Sequence, residues 1–71
     1  MHKVTRNPTT RARGSEFGGS AHAAAAEAAS ATWGHVFDSE VERDRRSDCN
    51  GWQGWRVTLD DTTEWVWTRP S

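Results

Sequence analysis

The chain has 71 residues and a mass of 8.0 kDa, which accommodates one small domain at most and excludes a multidomain enzyme. Leu, Ile, Val and Phe contribute only eight residues, well below the roughly 20% that a globular core usually needs. Nine Lys and Arg against ten Asp and Glu leave a net charge of −1, so the large net charge typical of disorder is missing. Five tryptophans offset part of the aliphatic shortage.

The first residues resemble an added leader. The run from Ala12 to Phe17, Ala-Arg-Gly-Ser-Glu-Phe, is what overlapping cloning sites encode, and Gly18-Gly19-Ser20 resembles a flexible spacer. We therefore predict that residues 1–19 are a vector-derived, disordered leader and that residues 20–71 form a single mini-domain. This predicts an engineered chain in which residues 20–71 are a module designed de novo, a library insert or a natural domain fragment.

Charge is divided unevenly between these two segments. Residues 1–13 hold four of the nine basic residues and no acid, whereas residues 20–71 hold nine of the ten acids and five basic residues. The predicted domain therefore carries −4, which disfavours nucleic acid as a partner. A single cysteine, Cys49, and the lack of an apolar signal segment favour a reducing cytoplasm. No apolar run is long enough to predict a membrane span.

An alanine-rich segment follows the predicted leader. Eight of the eleven residues after Ser20 are Ala, which predicts a helix over about residues 21–33 with Ser20 as its N-cap. If the helix continued through Gly34, Trp33 and Phe37 would share one face. Gly34 is equally suited to end the helix. The alternative is a solvated linker, because Ala buries little area and a short isolated helix is marginal in water.

Residues 38–50 form a charged connector. Its first eleven residues contain five acids and three arginines, with Val41 as the single apolar residue. Ser39 and Glu42 fit a capping box, and Glu42 and Arg46 are spaced for a helical ion pair. A short helix over about 40–46 is one interpretation, and a solvated loop is the other.

Two segments near the C-terminus alternate with period two. They are Trp55–Leu59 and Glu64–Thr68, and both are rich in aromatic and β-branched residues. Residues 60–63 between them are turn formers. The sequence therefore predicts a β-hairpin over about residues 52–68. The predicted fold is a small α+β unit with a disordered leader, one Ala-rich helix and a C-terminal Trp-rich antiparallel β-hairpin.

The length of the hairpin loop decides which face the tryptophans occupy. A three-residue loop after Leu59 places Trp55 opposite Trp67 and gathers the apolar side chains on one face, which we favour. A loop of two or four residues places Arg56 opposite Trp67 and stacks its guanidinium on an indole. Trp65 and Trp67 then face solvent or a partner.

The functional residues indicate binding rather than catalysis. His22, His35 and Cys49 lack the close spacing of zinc ligands. There is also no Gly-rich phosphate loop, so we expect no enzymatic activity, no metal and no cofactor. Because Trp is enriched at binding hot spots, we expect a noncatalytic protein-binding or self-associating domain that binds through Trp52, Trp55, Arg56, Trp65 and Trp67. The alternatives are stacking of the indoles on single-stranded nucleic acid or carbohydrate, and a partly disordered chain without specific activity.

Overall fold

The computed structural model describes residues 1–71 as one five-stranded antiparallel sheet with an α-helix against one face. The strands and the helix are β1 (His2–Thr5), β2 (Ser15–Phe17), α1 (Ala21–Trp33), β3 (Val41–Arg43), β4 (Gln53–Thr58) and β5 (Thr63–Pro70). Two 3-10 turns, Asp38–Glu40 and Arg45–Ser47, flank β3. The strand order is β2-β1-β5-β4-β3, so the β1–β2 hairpin extends the C-terminal three-stranded meander. The small α+β class is confirmed.

The predicted disordered leader is wrong. β1 pairs with β2 on one side and with β5 on the other, and Val4 belongs to the buried core. The backbone oxygen of Thr9 accepts a hydrogen bond of 2.9 Å from the indole of Trp52. The physical reason is that β1 pairs with the backbone groups along one edge of the eight-residue β5, which would otherwise be left as an open sheet edge. The vector origin of residues 1–19 stays a prediction.

The bounds of α1 match the prediction. The Ser20 hydroxyl oxygen accepts a hydrogen bond from the Ala23 amide at 3.1 Å, so Ser20 is the N-cap. Gly34 ends the helix with a φ of 90°, and its amide donates to the Ser30 carbonyl. This backbone conformation favours glycine. The helix therefore stops before Phe37, and at 13 residues it is too short to cross a membrane.

Alanine is what lets α1 lie close to the sheet. Five alanines of α1 are buried, and their small side chains leave room for the valines and Trp55 that rise from the strands. This packing replaces the solvated linker considered as an alternative. The buried core consists of Val4, Ala24, Ala25, Ala26, Ala28, Ala29, Val36, Val41, Trp55, Val57 and Val66.

Replacing Ala25 by leucine tests this close approach. Ala25 is fully buried, so the larger side chain must push α1 from the sheet. We expect Ala25→Leu to lower the free energy of unfolding by about 1–3 kcal/mol, measured by urea denaturation. Ala23→Leu is the matched control, because Ala23 is exposed on the same helix. An equal loss in both variants would contradict close packing at Ala25.

The charged connector adopts neither of its two predicted forms. Its centre is the strand β3, in which Val41 is buried opposite Val57 of β4. The His22 ring nitrogen Nε2 lies 2.9 Å from the Val41 carbonyl oxygen and ties the connector to α1. Asn50 and Gly51 have φ values of 52° and 81°, as in the tight turns that Asn-Gly pairs favour. This turn returns the chain to β4.

The β4–β5 hairpin is confirmed, but the favoured three-residue loop is wrong. Trp55 lies opposite Val66, and Arg56 lies opposite Trp65 rather than opposite Trp67, so Arg56 shares a face with Trp65 and Trp67, as a loop of two or four residues predicts. Trp65 and Trp67 consequently project from the face opposite α1, whereas Trp55 lies beneath α1. A three-residue loop would need a residue with positive φ in the turn, and no turn residue has one.

Candidate functional site

The sheet face turned away from α1 carries the tryptophans of β5, and we call it the open face. Alternation along β5 places Trp65 and Trp67 on it, and the register adds Arg56 from β4 and Glu42 from β3. Trp65 retains 36% of its surface exposed. No helix covers this face, so the open face is the candidate site.

The indole of Trp65 is held in one orientation. Its Nε1 donates a hydrogen bond of 2.9 Å to Oδ2 of Asp44. The other carboxylate oxygen of Asp44 accepts from the Arg46 amide at 3.2 Å. The indole hydrogen bond, supported by that amide, holds the pKa of the Asp44 carboxyl below its usual value. Trp65 is thus exposed yet oriented by an ionised acceptor.

Trp67 lies half-buried beside Trp65. Its indole donates a hydrogen bond of 2.7 Å to the carbonyl oxygen of Ser47, so the turn over residues 45–47 covers one end of the open face. Gly54 lies opposite Trp67 and makes room for this turn, because a Cβ at Gly54 would clash with the Ser47 hydroxyl oxygen. Any larger residue at position 54 would displace the turn.

Arg56 does not stack on an indole. Its guanidinium forms an ion pair with Glu42 on the adjacent strand, at 2.6 Å between Nη2 and Oε2. The ring next to it, Trp65, is engaged with Asp44 instead. The open face therefore presents an aromatic surface beside a close pair of opposite charges.

The other two tryptophans expected to bind lie inside the protein. Trp52 is 1% exposed and Trp55 is 8% exposed. Arg69 packs over the Trp52 ring at 4.2 Å, and the Trp55 indole donates to the Thr68 hydroxyl at 2.8 Å. Of the five expected binding residues, Arg56, Trp65 and Trp67 are brought together on the open face.

An ion pair fixes the turn that borders the open face. Arg43 contacts both carboxylate oxygens of Asp48, at 2.6 and 2.8 Å, and the Gly54 amide donates to the same carboxylate at 2.8 Å. These hydrogen bonds, of which the one from Arg43 has the largest effect, lower the pKa of Asp48 to about 2. The same contact with Asp48 raises the pKa of the Arg43 guanidinium.

The depressed pKa of Asp48 predicts a loss of stability in acid. The unfolded chain binds a proton at Asp48 at a higher pH than the folded chain, so stability falls as the pH drops from about 4 towards about 2. We expect Asp48→Asn to lower the free energy of unfolding at neutral pH. Near the acid end of this range, the free energies of unfolding of the variant and of the unsubstituted protein should become equal. Urea titrations across this range measure the difference. If the difference in the free energy of unfolding stayed constant down to the acid end, the lowered pKa of Asp48 would be contradicted.

Folding of residues 1–13 changes the charge that a partner meets. Their four basic residues belong to the domain, so the net charge of −1 for the whole chain replaces the −4 of residues 20–71. The negative charge that disfavours binding to nucleic acid is correspondingly smaller. No three His, Cys, Asp or Glu side chains lie close enough together to hold a metal ion.

Residues that the sequence reasoning missed complete the open face. Asp44 orients Trp65 and Ser47 anchors Trp67, although both lie in the segment interpreted as a charged helix or loop. The Asn50-Gly51 pair was the available signal, because Asn-Gly is a strong indicator of a tight hairpin. Such a hairpin would have placed the connector beside β4. Comparison with protein-family models, with curated proteins and with solved structures finds no match to this chain.

Proposed function

We propose that the chain is a noncatalytic protein-binding domain that associates with a second copy of itself through the open face. The observation that carries this proposal is the exposed Trp65 ring, fixed by Asp44 on a sheet face that no helix covers. Tryptophan is enriched among the few residues that supply most of the binding energy at protein interfaces. A ring already held in place loses little conformational entropy on association.

The charges of the open face favour a second copy. In a two-fold symmetric pair the same patch meets itself, so the patch must be self-complementary. Arg56 and Glu42 lie 2.6 Å apart on this face, and a two-fold axis near Trp65 brings each charge towards its opposite in the partner. The Cα atoms extend over 31 × 24 × 16 Å, so the molecule is flat. Its broad side is similar in area to the roughly 800 Å² that each partner buries in a standard interface.

Trp65→Ala tests the proposed association. We expect the unsubstituted protein to dimerise as its concentration rises, and the variant to associate more weakly by about 2 kcal/mol or more, as at other aromatic hot spots. Sedimentation equilibrium over a wide concentration range measures this. Phe37→Ala is the matched control, because Phe37 is an exposed aromatic residue away from the open face.

Two results would contradict the proposal. A monomer at every concentration would remove self-association. A dimer that weakens equally in Trp65→Ala and Phe37→Ala would place the interface elsewhere or show that association is nonspecific. Circular dichroism of both variants establishes that the fold is retained.

A further inference from the structure

A second surface feature lies away from the open face, between the C-terminal end of α1 and the tip of the β4–β5 hairpin. It is a groove of about 500 Å³, which we call the acidic groove. Its apolar walls are formed by Trp33, Phe37 and Leu59. Its carboxylate rim is formed by Asp60, Asp61 and Glu64. The groove therefore combines ring surface with negative charge.

The rings of the acidic groove are accessible. Phe37 is 62% exposed, and the His35 ring contacts it edge to face with centroids 4.6 Å apart. Trp33 differs from the other four tryptophans, whose indoles all donate to protein acceptors. Its indole is half-buried and has no acceptor within the chain. The groove thus offers an open ring, and one of its lining residues has an indole N–H without an acceptor in the chain.

The carboxylates at the rim have no cationic partner in the chain. The two ion pairs of the protein join Arg43 to Asp48 and Arg56 to Glu42, and neither lies at the groove. No Lys or Arg lines the groove. The rim acids are also too dispersed for a metal ion, which needs at least three ligands close together. The charge fits an extended organic cation.

We propose that the acidic groove binds an arginine-bearing segment of another polypeptide. A guanidinium is flat, so it stacks on an aromatic ring and pairs with carboxylates through its edge. The protein already uses this contact, because the Arg6 guanidinium lies 4.7 Å from the centre of the Trp33 ring. Phe37 supplies the ring that remains open. The Trp33 indole supplies a donor for a backbone carbonyl of the segment.

A defined peptide tests the proposal on the full chain. The probe is a capped Ala-Arg-Leu-Arg tetrapeptide, and its control carries citrulline, which keeps the shape of arginine without its charge. We expect saturable NMR shifts of the Trp33 indole N–H and the Phe37 ring with the arginine peptide, and no saturation with the control. The Trp65→Ala variant should bind the peptide unchanged, which separates this site from the open face.

Two double variants, each lacking two carboxylates, show where on the protein the peptide binds. Asp61→Asn with Glu64→Gln removes two rim carboxylates, and we expect about tenfold weaker binding, equivalent to about 1.4 kcal/mol. Glu16→Gln with Glu27→Gln removes two exposed carboxylates on β2 and α1 and should leave the affinity unchanged. Phe37→Ala should abolish saturation.

Three results would overturn the proposal. The first is the absence of NMR shifts on adding the arginine peptide, and the second is an equal loss of peptide affinity in the two double variants. The third is that the shifts of Trp33 and Phe37 follow the concentration of the protein itself while the peptide has no effect. The last result would assign the groove to a second copy of the chain, whose exposed Arg11 and Arg13 are the corresponding cations.

Discussion

A chain lacking residues 1–19 is expected to lose its cooperative unfolding transition. The deletion removes β1 and β2 and the buried Val4, and leaves one edge of the eight-residue β5 without a partner. It also removes the Thr9 carbonyl, which accepts the hydrogen bond from the buried Trp52 indole. A chain of this length is stable by only ~4–10 kcal/mol, and these losses together approach that total. Thermal denaturation followed by circular dichroism measures the effect.

A second variant separates loss of the strands from loss of basic charge. Arg11→Gln with Arg13→Gln removes two exposed charges and keeps the backbone of β1 and β2. We expect this variant to unfold with the midpoint of the unsubstituted protein. If residues 20–71 alone retained a cooperative transition at a similar temperature, the N-terminal strands would be dispensable and the assignment of β1 to the sheet would fail.

The second large effect is expected at Thr68. Thr68 is fully buried, and its hydroxyl accepts the indole hydrogen bond of the buried Trp55 at 2.8 Å. Thr68→Val keeps the shape of the side chain but leaves the indole N–H without an acceptor, which costs about 1–3 kcal/mol. In a domain of this size, each kcal/mol lowers the melting temperature by about 4–8 °C. Differential scanning calorimetry provides the measurement.

A double-mutant cycle attributes this loss to the hydrogen bond. Trp55→Phe removes the donor, so adding Thr68→Val to it should cost less than Thr68→Val alone. Thr63→Val is the matched control, because Thr63 lies exposed on the same strand and should change stability by no more than about 0.5 kcal/mol. Additive effects in the cycle would show that the Thr68 hydroxyl acts through another contact.

Local signals account for the elements that the sequence predicted well. Eight alanines, the Ser20 cap and Gly34 determine α1 because each acts within one or two helical turns. The alternation that marks β4 and β5 also arises within each strand. For the candidate site, the same alternation placed Trp65 and Trp67 on one face of their strand, although the loop length that we favoured placed Arg56 on the other face. It did not show which tryptophans would be covered, since that depends on what packs against each face.

Two features could not be derived from local patterns. β1 is four residues long and β2 three, which is too short for a recognisable period. The place of β1 in the sheet depends on pairing with β5, more than sixty residues along the chain in the case of His2 and Pro70, and β2 in turn pairs with β1. The predicted register is wrong for a related reason, because we placed Trp65 and Trp67 on the same face of the hairpin as Trp55, Val57 and Leu59. In the folded protein α1 covers one face, and the turn over residues 45–47 partly covers the other.

The sequence by itself determined α1, its caps and the existence of the Trp-rich hairpin, because helix propensity, capping and side-chain alternation are properties of neighbouring residues. Only the tertiary structure decided that residues 1–19 join the sheet, that Trp52 and Trp55 are buried, and that Trp65 stays exposed beside Asp44. These outcomes depend on contacts between distant segments. The energy of such contacts exists only once the chain has brought the segments together.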